Sequence, residues 1–84
     1  FWSVWVSPLQ SEPQSVQAVL EQIDLTKRLI AAYPRDLQFA GTADEVEQAM
    51  RGGRIASLIG MEGGHSIAGS LGVLRQMYAL GART

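Results

Sequence analysis

Three short apolar runs, each followed by a stretch with helical spacing, set the strongest limit on what this chain can fold into. The runs are Phe1-Trp2-Ser3-Val4-Trp5-Val6, Leu37-Gln38-Phe39-Ala40 and Arg54-Ile55-Ala56-Ser57-Leu58-Ile59-Gly60-Met61. Short apolar runs rich in aromatic and β-branched residues read as strands, and strands alternating with helices imply parallel pairing through right-handed crossovers. The expected class is therefore α/β, in the order βαβαβα. A doubly wound sheet or a (β/α)8 TIM-type barrel uses such units, but a whole barrel needs roughly 250 residues. With 84 residues, the chain is expected to be part of one such domain, with no domain boundary inside residues 1–84.

The helical stretches carry their own punctuation. Val16, Val19, Leu20, Ile23 and Ile30 share one helical face, broadened by Leu25, Leu29 and Ala32, with Ser15 as the expected N-cap after Pro13. Lys27 and Arg28 are expected on a solvated edge. Tyr33-Pro34 ends this helix, because a residue before proline is pushed out of the α region. Thr42 to Glu45 has capping-box spacing, and Gly52-Gly53 closes a second helix. A third helix holds Leu71, Leu74, Met77 and Tyr78 and stops at Gly81.

Composition excludes several classes. Hydrophobic residues make up 46% and charged residues 18%, which is the balance of a chain with a core. Seven basic residues face eight acidic ones, for a net charge of −1, which argues against a nucleic-acid partner. No apolar run approaches the roughly 20 residues of a membrane-spanning helix. Without cysteine there is no disulfide, thiolate metal site or cysteine nucleophile. The first run has the look of a strand buried on both faces, with Trp2 and Trp5 as core, yet it opens the chain; Ala82-Arg83-Thr84 ends it as abruptly. Both ends are expected to be cuts in a longer chain.

Chemistry in a parallel α/β sheet gathers at the C-terminal ends of its strands. Two places qualify, the Ser7-Pro8 loop and the Glu62-Gly63-Gly64-His65 loop. Glu62 closes an apolar strand, where a carboxylate is costly unless a cation, a donor or water meets it. It is either a functional group or an ordinary helix cap or ion-pair member. His65, the only histidine, is expected to bond to loop backbone rather than to act in chemistry. Glu62 with His65 makes at best half a zinc site. Gly60 to Ser66 could alternatively cradle an anion, but its pattern matches neither the P-loop nor the dinucleotide fingerprint. Ser57, Ser66 and Ser70 have no second histidine or elbow motif around them, so a serine triad has no support.

The stretch Arg54-Ile55-Ala56-Ser57-Leu58-Ile59-Gly60-Met61-Glu62-Gly63-Gly64-His65-Ser66 resembles the signature of the membrane (renal-type, microsomal) dipeptidases. Phe1-Trp2-Ser3-Val4, Ser70 to Arg75 and Tyr78 to Arg83 fit the same family, so the resemblance runs the length of the chain. It implies a (β/α)8 barrel similar to amidohydrolases, with two zinc ions and dipeptides as substrate. Glu62 matches the glutamate that bridges the two metals; His65 matches a loop-ordering group and not a direct ligand. The family's other ligands, an early His-x-Asp and two later histidines, have no counterpart here, nor has its substrate-binding histidine. The chain would cover about a quarter of a full enzyme and be inactive alone. Animal members tend to carry a cysteine where this chain has Ser7-Pro8-Leu9-Gln10, so the expected relative is bacterial in type. Homo-oligomer formation and compartment are left open, as are a non-catalytic anion-binding module and another metal-dependent barrel hydrolase with a non-peptide substrate.

Overall fold

The computed structural model describes residues 1–84, folded in the order β1 (Trp2–Trp5), α1 (Glu12–Ala32), β2 (Leu37–Phe39), α2 (Ala43–Arg51), β3 (Ile55–Ser57), β4 (Ile59–Glu62), a 3-10 turn (Gly64–Ile67) and α3 (Leu71–Leu80). The α/β alternation holds, with one revision. The third apolar run is two strands, interrupted at Leu58.

The interruption matters because the two halves have different neighbours. β3 pairs in parallel with β2, and β4 pairs in parallel with β1. Leu58 accepts a hydrogen bond from the Trp2 amide at 2.7 Å, and the next carbonyl, that of Ile59, accepts from Arg83 at 2.9 Å. Successive carbonyls of a strand point to opposite edges. β4 is thus the middle strand, with β1 on one side and Ala82–Thr84 on the other, where Ala82 bridges to Ile59 in parallel. β2 does not lie between β1 and β4, although it lies between them in sequence; it forms a small second sheet at the N-terminal end of β4.

One face of the main sheet is covered. Val4, Val6 and Ile59 pack with Val19 and Ile23 of α1, Met77 of α3 and Ala82. The register pairs Ser3 with Gly60 and Trp5 with Glu62. These residues alternate with the core positions and so project from the opposite face. That face is open: Trp5 is 52% and Phe1 76% exposed. The expectation that the first run is buried on both faces, with both tryptophans in the core, is therefore overturned. Only Val4 of β1 is buried: Trp5 projects from the uncovered face, and Trp2, although on the same side as Val4, stays 36% exposed. α3 shows the same one-sidedness, with Met77 buried while Leu71, Leu74 and Tyr78 stay exposed.

The helix ends follow local chemistry. α1 starts earlier than expected. Its N-cap is Ser11, whose hydroxyl accepts from the Gln14 amide while the Gln14 side chain accepts from the Ser11 amide. Pro13 is no obstacle in a first turn, where amides have no intrahelical partner to lose. Ser15, the expected cap, is buried inside the helix. Thr42 caps α2 as expected, and Glu45 turns its carboxylate to the Gly41 amide. Ser70 caps α3 through the Val73 amide. Lys27 is not an idle edge residue: its ammonium donates to the Leu80 carbonyl at 3.1 Å, at the C-terminal end of α3 where a cation is favoured.

Candidate functional site

Glu62 ends the middle strand, at the C-terminal end of the main sheet and on its open face. The next residue, Gly63, has φ +93°, a conformation that favours glycine, and turns the chain into the 3-10 turn. Neither ordinary role for Glu62 is realised. The residue preceding the 3-10 turn is Gly63, with no side-chain cap, and Glu62 enters no ion pair. Its one protein partner is Ser3, whose hydroxyl donates to Oε2 at 3.1 Å. Oε1 accepts no hydrogen bond from the protein, and the residue is exposed.

His65 is half-buried and reaches a different strand. Its Nε2 lies 2.8 Å from the carbonyl oxygen of Val6, just beyond β1. A carbonyl only accepts, so Nε2 carries the hydrogen. The ring lies against Gly63: a Cβ there would come within 2.5 Å of the imidazole Cε1 and 2.6 Å of Nδ1. The buried Ser66 hydroxyl donates back to the Gly63 carbonyl at 2.8 Å. The loop after β4 is therefore knitted to itself by Ser66 and to the end of β1 by His65. The expected partner of His65 is the backbone of its own loop; the bond goes instead to the Val6 carbonyl, just beyond β1.

The two candidate loops thus meet, but Glu62 and His65 do not act on each other. No group of three or more histidine, aspartate or glutamate side chains is assembled. An exposed carboxylate with one oxygen free is an anionic donor suited to a divalent cation. Glu62 fits one ligand position of such a centre, and these residues supply no complete set. The Gly60 to Ser66 loop offers an anion little, since Glu62 stands at its mouth and the Ser66 amide already donates to the Gly63 carbonyl. A cleft of about 270 Å³ opens between α3 and this loop, bounded by Gly63, Gly64, Ile67, Leu74, Tyr78 and Thr84. Glu62 does not line it. The Ser57 and Ser66 hydroxyls donate to the backbone carbonyls of Ile55 and Gly63.

Sequence reasoning missed two residues at this end of the sheet. Ser3 is one; the other is Gln22, whose side-chain amide holds the Trp5 backbone from α1. Neither has a local motif, since both act across long sequence separations.

Comparison with known proteins adds two findings. The family model described as membrane dipeptidase (peptidase family M19) matches residues 1–84. The dipeptidase verJ of Clonostachys rogersoniana is similar, 42% identical over 93 residues, in an alignment that covers 99% of this chain and 24% of that protein. The chain spans about a quarter of the length of this curated relative.

Proposed function

The chain belongs to the membrane dipeptidase family, peptidase family M19, and on that premise we propose that it is the Glu62-bearing portion of a zinc-dependent dipeptidase. The observation that carries this reading is the Glu62 carboxylate itself. It stands at the C-terminal end of the middle strand, on the open face, with neither a helix terminus nor a cation of this chain to explain it. In this reading β1, β4 and the segment from Ala82 are neighbouring staves of a (β/α)8 barrel. α1 and α3 form part of its outer layer, and the open face of Ser3, Trp5 and Glu62 lines its interior.

Glu62 would be this chain's residue for holding the two metal ions, its negative charge offsetting part of theirs. When bound, such ions activate a water and polarise the scissile carbonyl of a dipeptide. The remaining ligands come from other strands of the complete enzyme, so these 84 residues alone do not hydrolyse substrate. His65 holds the loop that follows Glu62 against the end of β1 and touches neither metal nor substrate.

The test is hydrolysis of a panel of dipeptides by the complete enzyme, before and after dialysis against a chelator. Activity is expected to vanish on chelation and to return with zinc. Zinc-independent hydrolysis, or none on any dipeptide with zinc bound, rejects the reading.

A further inference from the structure

We propose that Ser3 is a positioning residue for the Glu62 carboxylate, an inference that rests on the metal-bridging reading of Glu62. Ser3 lies on β1, opposite Gly60, while Glu62 lies two residues further along β4 and opposite Trp5. The hydroxyl therefore meets the carboxylate diagonally across the strand pair, on the open face, 59 residues apart in sequence. Gly60 has no side chain to stand between them, and both strands are fixed by backbone pairing. The donor's position is thus set by the sheet and not by a mobile loop.

The contact has little to do with holding the fold. Both residues are exposed, and water replaces an exposed hydroxyl at small cost. Its effect falls on the carboxylate. A glutamate at a strand end can sweep its head group through several rotamers, and each loses entropy when a cation fixes it. One hydroxyl on Oε2 selects a single orientation. A carboxylate has about four acceptor sites, so Oε2 retains a free lone pair and Oε1 retains both. Ser3 thereby prepares the carboxylate without consuming its capacity to bridge. Partners of this kind typically change metal affinity by roughly 10–100-fold when removed.

Three variants of the complete enzyme test this, Ser3→Ala, Ser3→Thr and Glu62→Gln, with zinc affinity measured by competition with a chromophoric chelator and melting temperature measured on the metal-free protein. Ser3→Ala is expected to weaken zinc binding roughly 10–100-fold, within the range for ligand-orienting partners, with the metal-free melting temperature unchanged. Ser3→Thr keeps the hydroxyl and is expected to restore affinity to within a few-fold. Wild-type affinity in Ser3→Ala, beside a loss in Glu62→Gln, overturns the role of Ser3 and leaves Glu62 as a ligand. A lowered metal-free melting temperature that threonine does not rescue shows a structural role and equally overturns it. Wild-type affinity in both Ser3→Ala and Glu62→Gln removes the bridging reading, and the inference with it.

Discussion

The side-chain amide of Gln22 completes the backbone of Trp5. Its Oε1 accepts from the Trp5 amide at 3.0 Å, and its Nε2 donates to the Trp5 carbonyl at 2.8 Å. A carboxamide is the side chain that offers a donor and an acceptor side by side, as a peptide unit does. Trp5 stands where an adjacent strand would pair, and α1 supplies a one-residue substitute for it. Such a substitute also blunts an edge that otherwise invites another chain.

Gln22→Ala in the complete enzyme leaves both Trp5 groups to water and is expected to cost about 1 kcal/mol, the usual net value of such bonds. Gln22→Glu keeps an acceptor but loses the donor, and should fall between. Hydrogen exchange at the Trp5 amide reports the change directly; unchanged protection in Gln22→Ala means another group occupies that edge.

Glu62→Gln preserves shape and one carbonyl oxygen but removes the charge. An amide bridges two cations poorly, so zinc content should drop and kcat/KM for dipeptides should fall by roughly 2–4 orders of magnitude, several kcal/mol of transition-state stabilisation. Melting temperature of the metal-free protein should hold, because Glu62 caps nothing and pairs with no cation. Full zinc content with normal turnover would falsify the bridging role.

Gly63 and His65 are coupled through space. Gly63→Ala places a Cβ in a backbone conformation alanine resists, and drives it into the imidazole. The expected cost is about 1–3 kcal/mol for the backbone alone. His65→Ala loses the bond to Val6 and should cost about 1 kcal/mol. In the double variant the ring is already gone, so the two costs should sum to more than the measured total. Denaturant unfolding of the four proteins checks this; strict additivity would mean that the ring and Gly63 are independent.

The isolated 84-residue chain is expected to self-associate. Only 15 of its 84 residues are buried, and Phe1, Trp5, Leu71 and Tyr78 are all more than half exposed. Exposed apolar patches beside open strand edges favour association. Sedimentation at rising concentration should show mass increasing with concentration, whereas a monodisperse monomer with a cooperative thermal transition would contradict the description of an uncovered sheet face.

What the sequence made legible was mostly local. The spacing of Val19, Ile23 and Ile30 announces α1, Thr42 announces α2, and Gly81 stops α3, because each signal depends on neighbours within a turn. Glu62 stood out because a carboxylate closing an apolar run needs a reason. The cap of α1 lies at Ser11 and not at the expected Ser15, because Pro13 is an acceptable first-turn residue and the helix begins before it. The exposure of Trp5 was not legible, since a strand's composition tells what could be covered and not which neighbours arrive. Ser3 and Gln22 acquire meaning only from register and from the approach of a helix to a strand edge.

The break at Leu58 gives one run of chain two separate duties. Upstream of it, Ser57 accepts from Ala40, Ile55 donates to Asp36, and Phe39 of the small sheet packs so close to Gly81 that a Cβ there would lie 2.9 Å from its ring. Downstream, the run ends in the carboxylate. On the proposed role of Glu62, anchorage and metal binding fall at opposite ends of the same few residues. Substitutions around β2, α2 and β3 are then expected to shift melting temperature while leaving the strand pairing that carries Ser3 and Glu62 in place.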